Sequence, residues 1–405
     1  MANTNLTVDQ VTNHALMILH QKCNFIGTID RQYDDSYKTG GAKGGSDIRI
    51  KLPNQFTVRT GKTLDTQDVT QTSVTLSTST QKGVDMNFST QELTQDISLF
   101  SENYIEPAMS VLSANIESDV MNVYKDVWQE ANDVGAAIVL ADVLKGSQIL
   151  TESLTPRERT LNMNPQDNAD LVNALSGLFN DPGKLSENYR EGQVADSFMG
   201  YRKVFENTLW PIHTTGTDDG TGDYAVNMAA GVTEGASSVT VDTGAGTWKK
   251  GDIFYFDGIN AVHPETKADT GTPMRFVITA DASASATTLN FSPAIYAAGG
   301  KQNVVSLPAD DVVLYKREID GSTAVGNAAD YKISMGYHKQ AFTFATADLV
   351  KPTGLDWCAR KVMDGISMRI IRDYDINNDN LPCRIDILYG YKAIRPELAV
   401  RYGFN

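Results

Sequence analysis

Apolar residues along the chain change spacing several times, and each change predicts an element. Thr7 with Gln10 makes a capping-box start, after which Val8, Val11, Ala15, Ile18, Leu19 and Lys22 follow a helical stripe. A short amphipathic helix is expected there. Residues 33–46 are polar and carry Gly40, Gly41, Gly44 and Gly45, too little apolar surface to order themselves without a partner. From Asp47 the spacing switches to alternation: Ile48, Ile50 and Leu52, then Val74, Leu76, Val84, Met86 and Phe88, around a polar centre from Thr60 to Gln71. This predicts a long β-hairpin with a solvated tip. Two-stranded hairpins are marginal alone in water, so a neighbouring subunit is expected beneath it.

Ile105, Met109, Leu112, Ile116, Val120, Val123 or Tyr124, and Val127 recur at three and four residues, with Ser101 before them and Pro107 in the first turn. One helix of about 27 residues, roughly 40 Å, is expected. A second is expected around Ala169 to Phe179, after Asn164-Pro165. Between Ala225 and Lys316 the composition turns to Thr, Val, Ser, Ala and Gly. Short apolar runs there, at Val239–Val241, Ile253–Phe256, Phe276–Thr279, Thr288–Phe291 and Val312–Tyr315, predict a small antiparallel barrel or sandwich. Its flanks, 214–223 and 319–330, read as linkers, so this is an inserted domain. At the end, Ile366, Met368 and Ile370, then Ile385, Ile387 and Leu388, flank a turn from Asp373 to Pro382 and predict two long strands.

Composition narrows the classes. At 405 residues and 41% hydrophobic content the chain has room for two or three domains. A formal charge of −15 would repel phosphates and disfavours a nucleic-acid reader. The charge is uneven: residues 351–405 carry nine Lys or Arg against seven Asp or Glu, about +2, leaving about −17 for the rest, so complementary patches on neighbouring copies become available. Cys23, Cys358 and Cys383 are odd in number and scattered, which fits a reducing cytoplasm better than a disulfide framework. No basic-then-apolar leader is expected at the start, and the longest apolar run, Val134 to Leu144, is broken by Asp142, so no membrane span is expected.

Candidate chemistry is sparse. The glycines around Lys43 lack the Gly-Lys-Ser/Thr ending of a phosphate loop and read as a connector. Asp373, Asp375, Asn377 and Asp379 imitate the start of a calcium loop, but Asn378 stands in place of the glycine and Arg384 in place of the bidentate Glu, leaving a polar turn or a weak cation site. His14, His20, His213, His263 and His338 are dispersed, and no nucleophile elbow occurs. No catalytic residue, cofactor site or metal site is expected, and the chain reads as a non-enzyme.

Four separated stretches resemble the major capsid (coat) proteins of tailed double-stranded DNA bacteriophages, specifically the coat-protein group of short-tailed phages with an inserted β-barrel domain. They are Asp47–Val58 (with Arg49, Leu52, Pro53, Phe56), Gly192–Pro211 (with Gln193, Val194, Ala195, Gly200, Val204, Leu209), Gly251–Thr279 (with Asp252, Asn260, His263-Pro264-Glu265, Arg275), and Tyr337–Phe342 through Tyr389–Ala393 to Arg395-Pro396-Glu397. The resemblance implies the α+β capsid fold shared by tailed phages and herpesviruses. Its parts would be an N-terminal arm (1–46), an extended β-hairpin loop (47–88), a peripheral domain with a spine helix (89–135), an axial domain (136–222 and 331–380), the inserted antiparallel barrel (223–330), and C-terminal strands of the peripheral domain (381–405).

It further implies self-assembly as hexamers and pentamers into an icosahedral shell that encloses DNA without sequence-specific binding, with a scaffolding protein and a portal as partners. Localisation would be the virion capsid, and host cytoplasm before assembly. Arg59, Lys62, Asp65 and Asp68, near the hairpin tip, are the candidate inter-subunit contacts, as salt-sensitive rim charges or as plain solvated loop charges. The barrel would support the subunit's own folding or touch a neighbour. The competing class is a surface-exposed β-rich binding or adhesion module, and a third is a hydrolase with an unfamiliar site.

Overall fold

The computed structural model describes residues 23–31, 47–59, 61–64, 71–89, 105–132, 135–175, 199–217, 224–242, 246–316, 330–354, 357–363 and 366–404, with single positions 15, 17, 66 and 244. The expected first helix lies mostly outside them, as do all of residues 33–46. The chain divides into two compact units, Met1–Ile50 with Ser73–Met121 and Phe342–Ile394, and Lys51–Thr72 with Asn122–Ala341 and Arg395–Asn405. Elements are labelled in chain order.

The first unit holds α1 (Asn24–Thr28), α2 (Glu106–Met121), β1 (Asp47–Lys51), β2 (Ser73–Ser77), β3 (Thr80–Ser89), β15 (Phe342–Ala347), β16 (Trp357–Met363), β17 (Ile366–Arg372) and β18 (Asn380–Ala393). β16, β17 and β18 run antiparallel, and β18 also pairs β15 and β3. Alternation places Met368, Ile370, Ile385, Ile387, Tyr389, Phe342 and Phe344 on one buried face. Asp119 of α2 accepts a hydrogen bond from Tyr389 Oη at 2.6 Å and pairs with Lys82 at 3.1 Å.

Two expectations change here. The hairpin is short: β1 pairs β2, the bond from Leu52 N to Thr72 O is at 2.9 Å, and β3 leaves it to pair β18 from Ser89↔Asn380 to Thr80↔Tyr389. Alternation shows which face a strand buries but not which strand lies beside it. The long helix stops after 16 residues, where the chain tightens into a 3-10 turn, Asn122–Asp126, and enters the second unit. The apolar spacing carries on through that turn because Val123, Tyr124 and Val127 are buried too.

The second unit has a central sheet of β4 (Glu130–Asn132), β19 (Ala399–Gly403), β14 (Asp330–His338), β5 (Arg159–Met163) and β6 (Lys203–Glu206) in that order, with β7 (Ile212–Thr214) also on β14. β4–β19 and β5–β6 are parallel and the other pairs antiparallel. α3 (Leu140–Glu152) and α4 (Pro165–Leu175) share its core through Val143, Leu150 and Leu171, against Leu161, Met163, Val400, Tyr402 and Phe404. Gly146 lets α3 approach: a Cβ there would lie 2.0 Å from Tyr402 Oη. α4 starts four residues before the expected stretch because Asn164 caps it, Oδ1 accepting from Asp167 N at 2.9 Å, with Pro165 next.

Six more strands form an antiparallel sheet, in the order β8 (Tyr224–Ala225), β13 (Val313–Lys316), β10 (Ile253–Val262), β11 (Asp269–Ile278), β12 (Thr288–Ser292), β9 (Ser238–Thr240). Its two ends meet where Val226 bridges Val241, so it closes on itself. Inside, Phe276 and Phe291 sit edge to face with centroids 5.2 Å apart, Phe254 and Phe256 pack against both, and Trp248, Ile278 and Leu314 are buried in the same core. Lys316 lies 4.3 Å from the Trp248 ring and donates to the carbonyls of Thr217 at 2.9 Å and Thr247 at 2.6 Å.

Candidate subunit-contact site

Between β1 and β2 the described residues 52–59, 61–64, 66, 71 and 72 form no strand, and Phe56 is 60% exposed, Leu64 77% and Val58 94%. Of the four candidate contact residues, Arg59 and Lys62 are exposed on this loop, while Asp65 and Asp68 lie outside the described residues. Arg59 bonds within its own turn, donating to the carbonyls of Thr63 at 3.0 Å and of Gly61. Charge alone does not mark the apolar trio; the signal in the sequence is Phe56-Thr57-Val58, an alternation that continues where no strand does.

The loop's stem rests on the closed sheet. A Cβ at Gly300 would lie 2.4 Å from Gln55 O, so only glycine fits that approach. Lys267 fixes the same corner, donating to the carbonyls of Gly300 at 2.8 Å and Gln302 at 3.1 Å, and desolvation holds its pKa below the usual lysine range.

The root of the N-terminal segment is pinned in the first unit. Glu117 of α2, fully buried, accepts from Phe25 N at 2.6 Å and Asn24 N at 3.1 Å. Phe25 packs on Phe342 with centroids 6.1 Å apart, and Asp30 exchanges backbone hydrogen bonds with Phe342 O at 3.1 Å and Phe344 N at 3.0 Å. Burial raises the Cys23 thiol far above its ordinary value, with Glu117 adding to the shift, so the sulfur here is a packed thiol.

In the turn between β17 and β18, Asp375 accepts from Asn377 N at 3.0 Å and Asn378 Nδ2 at 2.7 Å, and Tyr374 Oη donates to Asp379 at 2.9 Å. The carboxylates hold the turn itself. Among the described residues, no group of three or more His, Cys, Asp or Glu could hold a metal ion, and no helix is long and apolar enough to cross a membrane.

A buried polar cluster joins the central sheet to the closed sheet. His213 Nε2 meets Asp252 Oδ1 at 3.0 Å and His213 Nδ1 meets Tyr124 Oη at 3.0 Å. Burial lowers the His213 pKa, which favours the neutral imidazole, and raises the Tyr124 phenol to about 12. A carboxylate only accepts, so Nε2 carries the proton and Tyr124 donates to Nδ1. The other oxygen of Asp252 accepts from Gly216 N at 3.0 Å and Lys249 N at 2.9 Å. Arg401, wholly buried, donates to Gly251 O at 2.6 Å and lies 3.4 Å from Glu130, which also accepts from Tyr331 Oη at 3.1 Å and Asn132 Nδ2 at 2.7 Å. This set contains a histidine and a carboxylate in contact, but Tyr124, Glu130, His213, Asp252, Tyr331 and Arg401 are at most 4% exposed, and the contacts named here are with one another and with the chain's own backbone.

The described outward features are loops and edges carrying apolar and charged side chains, while the polar groups of the interior serve the fold: this is the make-up of a structural subunit. The chain belongs to the P22 coat protein family, whose model ("P22 coat protein - gene protein 5") matches residues 26–402. It is a phage major coat protein with the α+β fold of that group, a building block of an icosahedral capsid shell. The chain is similar to solved structures described as "Mycobacterium phage Che8" (12% identity, 92% of this chain and 88% of that one, TM-score 0.46) and "Asymmetric unit of bacteriophage PhiM1 mature capsid" (11%, 90% and 83%, 0.44). A third is "Crystal structure of virus-like particle from Pyrococcus furiosus" (10%, 97% and 98%, 0.39). Among curated proteins no sequence matches.

Proposed function

We propose that this coat subunit completes itself on its siblings through the loop between β1 and β2, in hexamers and pentamers of a shell that encloses double-stranded DNA without sequence-specific binding. The observation that carries this reading is the exposure of Phe56, Val58 and Leu64 beside Arg59 and Lys62 on a loop whose base is only two strands wide. A monomer has no use for such a tip, whereas in a shell each subunit meets several neighbours and modest contacts multiply. Asp65 and Asp68 are assigned to the same contact.

The part boundaries carried over from the resemblance are arm 1–46, loop 47–88, peripheral domain 89–135 and 381–405, axial domain 136–222 and 331–380, and the closed sheet, within 223–330, as the inserted barrel; of the loop's strands, β3 is carried on β18 and β1 and β2 alone form the base. Scaffolding protein and portal are its assembly partners, assembly begins in host cytoplasm, and the subunit performs no catalysis. The net charge of −15 suits a lining that does not hold the genome by its phosphates.

The test is expression of the chain with and without a scaffolding protein, followed by electron microscopy, beside the double variant Arg59→Glu/Lys62→Glu. Wild type gives polyhedra or sheets tens of nanometres across, and the variant assembles more slowly with a weaker dependence on salt. Compact monodisperse wild-type monomers under every assembly condition would sink the proposal, and an unchanged variant would remove the two residues from the contact.

A further inference from the structure

The buried cluster around Arg401 has a geometry that packing alone does not call for. It gathers one side chain from each of five places in the second unit: Tyr124 in the 3-10 turn, Glu130 on β4, His213 on β7, Tyr331 on β14 and Arg401 on β19. Two of them, His213 and Arg401, bond one turn of the closed sheet, Lys249–Asp252, where Asp252 N bonds Lys249 O at 3.0 Å and Gly251 has φ +101; Tyr124 bonds His213, Glu130 lies 3.4 Å from Arg401, and Tyr331 bonds Glu130. A Cβ at Gly251 would lie 3.1 Å from His213 Cε1 and 3.2 Å from Lys125 Cγ, so the turn is seated closely.

What seats it is directional. His213 bonds Asp252 at 3.0 Å, Arg401 bonds Gly251 O at 2.6 Å, and Gly216 N at 3.0 Å ties the incoming chain to the same carboxylate. Arg401 Nη1 is buried without a hydrogen-bond partner among the described residues. A cluster selected for stability alone would be apolar here, since buried charges cost desolvation that well-packed hydrophobic side chains avoid. An apolar seat is also indifferent to small rotations, because dispersion and burial have no preferred direction, whereas hydrogen bonds weaken steeply off axis.

We propose that the Arg401 cluster is a positioning joint: it holds the inserted barrel at one angle to the central sheet, so that every copy presents its barrel to neighbours identically, and Arg401 is its positioning residue. This rests on the coat-protein reading for its purpose but not for its mechanics. The direct consequence is that the barrel, which has its own aromatic core, unfolds together with the central sheet only while the joint is intact.

The experiment compares the full-length wild-type chain with Arg401→Met, which keeps most of the side chain's length and loses its donors, and Arg401→Lys, which keeps the charge but not the fork. Two readouts are taken: calorimetric unfolding of the subunit, and density for the barrel relative to the shell floor in reconstructions of assembled particles. With Arg401→Met we expect the single transition of this unit to split into two and barrel density to be lost while the floor stays sharp; Arg401→Lys falls between. Barrel density as sharp as wild type with an undivided transition overturns the joint. If wild type makes no shells, the coat reading fails and the calorimetry still decides the joint. If Arg401→Met does not fold, Arg401→Lys decides by the same two readouts; if neither folds, the cluster is a requirement of the fold and the inference falls.

Discussion

Replacing Glu117 with alanine isolates the hold on the N-terminal segment. Glu117 is fully buried on α2, and its carboxylate receives Phe25 N at 2.6 Å and Asn24 N at 3.1 Å. Phe25 is itself buried, so its orphaned N–H would cost about 1–3 kcal/mol, while the N–H of exposed Asn24 can turn to water and cost ~1 kcal/mol or less. The total is about 1–4 kcal/mol, and it falls on the docking of residues 23–31 because alanine is the best helix former and leaves α2 intact.

The assay is hydrogen exchange on the unassembled subunit, reading the amides of Gly27, Asp30 and Phe344, which bond Cys23 O at 3.2 Å, Phe342 O at 3.1 Å and Asp30 O at 3.0 Å. At one decade per 1.4 kcal/mol, exchange through local opening should accelerate roughly 5- to 1,000-fold, with the amides of β18 that pair β17 unchanged. A change smaller than about threefold at those three amides would refute the latch. Equal acceleration across β18 would mean that the substitution unfolds the unit and that the carboxylate is a general core element.

Three further outcomes follow from other sites. Burial, the largest cause, raises Asp167 to about 6 against an ordinary 3.8, outweighing its hydrogen bonds from Ser334 and Asn164. The folded state therefore binds the proton more tightly, and Asp167's contribution is fully present below about pH 4 and lost as pH rises through about 6, on the order of 3 kcal/mol. Denaturant midpoints of wild type and Asp167→Asn between pH 4 and 7 check it, the difference between them changing across that window and flat above it. Phe254→Ala removes a wholly buried ring from the aromatic core of the closed sheet and should cost about 3–5 kcal/mol, read from denaturant unfolding of the full chain. Gly390→Ala would set a Cβ 2.0 Å from Ser77 O; since both sides are backbone, β2 must lift from β18, and amides of residues 73–77 should lose protection while those of the closed sheet keep theirs.

Local pattern alone determined much of this protein. Strand runs between Ala225 and Lys316 and the two strands around the turn at Asp373 were legible because a side-chain period of two with turn residues between is a backbone-level signal. The start of α4 was written in Asn164-Pro165, an N-cap and an N1 proline, although the expected stretch began later. The exposed charges Arg59 and Lys62 could be placed on a loop by polarity alone.

Partnership was decided by the tertiary structure. β3 alternates as well as β1 does, yet it joins β18, about 300 residues away in sequence, because pairing is set by which edge is vacant once the chain has collapsed. α3 was not read at all: its Leu140, Val143, Gly146 and Leu150 acquire meaning only against Tyr402 and its neighbours. Glu117 and Arg401 look like ordinary surface charges in a charged chain. Only three-dimensional closeness shows one holding the backbone of residues 24–25 and the other seated on Gly251, since a buried ion is defined by partners that sequence spacing does not encode.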